Sequence, residues 1–68
     1  MARDKSKDDK YFNCNQEYEL NYVAGLYVNR DIVKNFLKES CANNTIYHST
    51  HAQVYKLIRD KLGYPIPD

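Results

Sequence analysis

Sixty-eight residues with a formal charge of +1 make one small domain, and exclude a protein drawn as a whole to nucleic acid or to an anionic membrane. A core of this size is marginal, because ordering costs roughly 1.5 kcal/mol per residue and burial only about offsets that sum. Two cysteines, Cys14 and Cys41, are too few for a disulfide-rich secreted scaffold, so both are expected to be free and buried.

Residues 1–10 alternate basic side chains with aspartate and hold no aliphatic residue beyond Met1 and Ala2. Nothing there can bury apolar surface, so the segment is expected to be a disordered tail, and 11–68 the folded domain. It has no signal-peptide core, and no apolar run in the chain is long enough to cross a membrane; a cytoplasmic protein is expected. Tyr11–Cys14 reads as extended, with Phe12 laid against the core.

The hydrophobic spacing predicts an all-α domain of three helices, at about 15–28, 30–42 and 50–62, with a minimal two-strand bridge as an accessory. Asn15 is the expected cap of the first helix, with Glu17 placed well against its dipole. Leu20, Val23, Ala24 and Tyr27 form its buried face, and Tyr18, Tyr22 and Leu26 a second apolar row beside it. Glu17, Asn21 and Gly25 remain as a narrow polar or small stripe. A helix apolar over this much of its girth needs cover on two sides.

The second helix is capped by Asn29 and turns Ile32, Val33, Phe36, Leu37 and Cys41 inward. It carries Arg30, Lys34 and Lys38 as a basic stripe on another face. Thr45–His48 reads as extended, within reach of Tyr11–Cys14. The third helix is capped by Ser49 or Thr50, stopped by Gly63 and barred from resuming by Pro65. Val54, Tyr55, Leu57, Ile58 and Leu62 form its core face, and Tyr64 and Ile66 fold back over the open end of the core. Leu20, Val23, Phe36, Leu37, Val54 and Ile58 are the expected centre, and truncating Phe36 to alanine would cost about 3–5 kcal/mol.

Chemistry is sparse in this pattern. His48, His51, Cys14 and Cys41 are zinc-ligand types, but the cysteines do not form the close pair that structural zinc sites use, so no metal and no cofactor is expected. The chain has no glycine-rich phosphate loop and little room for a walled pocket, and a catalytic role is not expected. Seven tyrosines among nine aromatic residues suit the rim of a thin core, and also a recognition surface. Tyr18, Tyr22 and Leu26 are therefore the candidate surface for a protein partner, with a homodimer through the same row as one form of that contact. The alternative is a helix-turn-helix regulator, in which Val23, Leu26, Val28, Val33 and Phe36 fill the apolar positions and Arg30, Lys34 and Lys38 face a DNA groove. Against it stand a turn of Tyr27, Val28 and Asn29 and the weak basic excess.

The stretch Tyr18-Glu19-Leu20-Asn21-Tyr22 resembles a group of small bacterial and phage-associated helical proteins whose first helix opens with a Tyr-Glu-Leu-x-Tyr pattern. The likeness covers about twenty residues, to the middle of the second helix. Those proteins often continue with tryptophan and place a glycine before the second helix, where this chain has Val23 and no glycine. The resemblance implies a small helical fold and a bacterial or phage accessory protein, and carries no activity or functional residue to transfer.

Overall fold

Glu17–Gly25 (α1), Arg30–Ala42 (α2) and His51–Leu62 (α3) carry the chain in a computed structural model that describes residues 3–68, with one turn of 3-10 helix at Lys5–Lys7 ahead of them. The expected all-α, three-helix domain is the fold observed. Among the described residues the one bridge, Tyr11 to Thr50, is antiparallel and isolated. Phe12 N–H donates to the Ser49 carbonyl beside it at 2.8 Å. The pairing thus falls at the entrance to α3, whereas residues 43–48 turn.

The first helix is shorter than its apolar pattern suggests. Its N-cap is Gln16, without a side-chain bond, because Asn13 accepts the Asn15 N–H and holds Asn15 inside the turn leading in. At the far end the N–H groups of Leu26 and Tyr27 donate three residues back, to Val23 and Ala24. This tightening ends the helix and forms the corner to α2. The third helix has the best-made start. Thr50 Oγ1 accepts from Gln53 N–H, and Gln53 Oε1 accepts from Thr50 N–H at 2.9 Å, a reciprocal capping box. Gly63, at φ 77°, closes the helix in the left-handed conformation that a side chain would strain. Thr50→Ala should cost about 1 kcal/mol, read as a lower urea midpoint with an unchanged slope.

The core gathers Leu20, Val23, Ala24 and Leu26 with Val33 and Leu37, Val54, Tyr55 and Ile58, closed by Phe12 and Ile46. Several side chains expected inside are not fully there. Tyr27, Phe36, Cys41, Leu57 and Leu62 are only partly buried at the edge of the core, and Ile32 is 51% exposed. The buried line of α2 runs Val33, Leu37, Ser40, and residues one position earlier lie about 100° around the helix. Tyr64 and Ile66 do pack on the core's rim, as expected.

Two expectations are corrected outright. Cys14 and Cys41 are not free but joined in a disulfide, with a Cα–Cα separation of 5.7 Å. The short corner folds α2 back along α1, so the entrance to α1 meets the last turn of α2, and 27 positions is simply the length of that helical hairpin. Residues 3–10 do not form a disordered tail; Met1 and Ala2 lie outside the described residues. Arg3 pairs with Asp8 at 3.0 Å, its backbone N–H donates to the Asp68 carbonyl, and its guanidinium also reaches the Pro67 carbonyl. Asp4 accepts from Ser6 to start the 3-10 turn. The segment lacks apolar side chains and docks through polar ones, which an argument from burial does not see.

Candidate functional site

The second apolar row of α1 is not one surface. Tyr18 stands 63% exposed, Leu26 is buried, and Tyr22 lies under the N-terminal segment. Its hydroxyl accepts the Asp4 N–H at 2.8 Å, and the Lys7 ammonium sits 4.3 Å from the ring centroid, a cation–π distance. The row needed cover, as its girth implied, and over Tyr22 Asp4 and Lys7 supply it. Of Tyr18, Tyr22 and Leu26, only Tyr18 is open to a partner.

The basic stripe is also divided. Lys34 Nζ lies 3.4 Å from Glu17 Oε1, which ties α2 to the first turn of α1, while Arg30 and Lys38 are exposed. Val28, which a helix-turn-helix would bury, is wholly in solvent.

Val28 marks a feature absent from the sequence reading. At the corner between α1 and α2, Val28 in the turn and Ile32 in the first turn of α2 stand beside an open depression of ≈ 580 Å³, rimmed by Gly25, Tyr27, Asn29, Arg30 and Asp31. Tyr27 points the other way, onto Tyr64 with centroids 6.3 Å apart. The signal available in the sequence was the abrupt change of residue face that a tight corner imposes on two neighbouring apolar residues. Tyr11, Tyr47 and His48 line a second, smaller hollow over Phe12 and Cys14, with the His48 ring edge-on to Tyr47.

Two titratable side chains are buried at the centre of the molecule. His51 is 2% exposed and Glu19 7%, and His51 Nε2 lies 3.2 Å from Glu19 Oε2. The other ring nitrogen, Nδ1, is 2.7 Å from the Lys10 carbonyl, and the Phe12 ring meets the imidazole edge-on at 5.7 Å. Glu19 was the one charged residue of α1 left out of the polar stripe of Glu17, Asn21 and Gly25, and that omission was the clue. His48 and His51 point to different surroundings and both cysteines are bonded to each other, so the four zinc-type residues do not converge.

Tyr27 and Tyr55 have buried hydroxyls without a hydrogen-bond partner among the described residues. Burial pushes the Tyr27 phenol up to about 12, against a small opposing pull from Arg3. Burial also raises Tyr55, with help from Tyr22, Asp8 and Tyr27. Phenols raised in the folded state stay neutral there while the unfolded chain ionises, so their contribution is intact below about 10 and is lost as pH rises above it. No helix among the described residues is long and apolar enough to cross a membrane. The chain matches no protein-family model, no curated protein and no solved structure.

Proposed function

We propose that this is a non-enzymatic module that binds a protein partner through the α1–α2 corner. The observation that carries the reading is Val28, wholly exposed beside the half-exposed Ile32. Covering an aliphatic side chain of this size contributes about 1.5–3 kcal/mol, so a partner that seats both gains substantially from a small area. Arg30 and Asp31 surround the pair with one charge of each sign, the apolar centre and polar rim of a protein interface. A bacterial or phage accessory role is compatible with such a module. The cystine argues for oxidising surroundings in place of the cytoplasm expected from the sequence.

The test is a Val28→Ser, Ile32→Ser double variant, compared with the parent by pull-down from the native host with and without nuclease. Both side chains are exposed, so the thermal melt should be unchanged while the captured protein is lost. Retention of every partner by the double variant removes the corner from consideration. Loss of all partners on nuclease treatment of the parent would instead promote nucleic-acid binding through Arg30, Lys34 and Lys38.

A further inference from the structure

The hydrogen bonds of the buried His51 fix how many protons it and Glu19 hold between them. The Lys10 carbonyl can only accept, so Nδ1 must hold a proton to bond it at 2.7 Å. An ionised Glu19 carboxylate can also only accept, so the contact at Nε2 requires a second proton between the two groups. Both contacts are satisfied together when the ring carries a proton on each nitrogen and Glu19 is ionised. We propose that His51 is an imidazolium that fastens the N-terminal segment to the helical body, so that loss of its second proton releases that segment.

The attachment points support a latch. The Lys10 carbonyl accepts both the His51 ring N–H and the His51 backbone N–H, the latter at 3.0 Å, and Ala52 N–H donates to the Asp8 carbonyl at 3.2 Å. No side chain of residues 3–10 is fully buried, so polar contacts alone hold the segment. The body beneath is held separately by the apolar core and the disulfide. A neutral His51 would set a bare nitrogen lone pair against a buried carboxylate, and the weakest-held neighbour gives way.

The other charged groups nearby are engaged elsewhere or lie outside. On the N-terminal segment, Asp8 is paired with Arg3, and Asp9 and Lys10 have exposed side chains. On α3, Tyr55 lies one turn along from His51, with the Arg3 guanidinium over its ring at 5.9 Å. His48, from the preceding loop, is out on Tyr47. Glu19 is the one carboxylate within hydrogen-bond reach of the ring. The sign follows: docking is complete while both ring nitrogens are protonated and Glu19 is ionised, and is lost as pH rises through the loss of the second proton.

The experiment is a pH titration of the whole chain by NMR, kept below about 10 so that unfolded-state tyrosine ionisation plays no part. Long-range proton–nitrogen spectra read the two ring nitrogens, and heteronuclear NOE values read the order of residues 4–10. Both nitrogens should be protonated in mildly acidic solution. On raising the pH, loss of the Nε2 proton and loss of order in residues 4–10 should occur in one step, with α2 unchanged. Glu19→Gln supplies an amide that can donate to a bare Nε2, so this variant should lose the step and keep the segment docked throughout. A ring carrying one proton at every pH, order in residues 4–10 that ignores the titration, or the same step in Glu19→Gln would each overturn the latch. Should Glu19→Gln fail to fold, the titration of the parent chain decides alone.

Discussion

Reducing the Cys14–Cys41 bond is expected to lower the unfolding free energy by about 3.5 kcal/mol, since it frees a loop spanning 27 positions in the unfolded chain. A domain of this size has only roughly 3–10 kcal/mol to lose, so reduction should remove from about a third to all of its stability. The loop encloses all of α1 and nearly all of α2, and it leaves α3 outside. Urea melts with and without a dithiol reductant measure the difference. A Cys14→Ser, Cys41→Ser variant separates loss of the bond from any other action of the reductant. Equal midpoints for oxidised and reduced chains, with thiol titration confirming reduction, would show that the bond closes no loop that matters.

Phe12→Ala should be the most damaging single truncation, at about 3–5 kcal/mol. The ring is 1% exposed, precedes all three α-helices, and packs both on the core and on the edge of His51. Removing it empties the space beneath the Tyr11–Thr50 bridge and strips the imidazole of one wall. Phe36→Ala should cost distinctly less than the same range, because Phe36 sits half-buried at the core's edge. Thermal melts of the two variants side by side check the order. A Phe36→Ala melt lower than that of Phe12→Ala would return the centre of the core to α2.

The three helices were legible because their signals are local. Thr50 and Gln53 stand three apart, Gly63 follows the last periodic residue, and Val33 with Leu37 repeats at helical spacing. The candidate surface was not. Whether Tyr22 meets water depends on Asp4 and Lys7, eighteen and fifteen positions away, and charged side chains carry no periodic signature of where they dock. Val28 and Ile32 share the composition of core residues, but Val28 falls in the corner after α1 stops at Gly25 and Ile32 lies one position off the buried line of α2. The His51–Glu19 pair spans 32 positions and needs all three of α1, α3 and the N-terminal segment in place before it exists.

The pair of hydrogen bonds that His51 donates to the Lys10 carbonyl also bears on how fast the molecule assembles. That contact spans 41 positions of chain, a long and slow closure for so short a protein. Through the cystine, the path from Lys10 to His51 shrinks to roughly 15 residues, which lowers the closure entropy by about 1 kcal/mol. The oxidised chain therefore reaches this long-range native contact by a covalent short cut, and should refold several-fold faster than the reduced one even under conditions where both are fully folded at equilibrium.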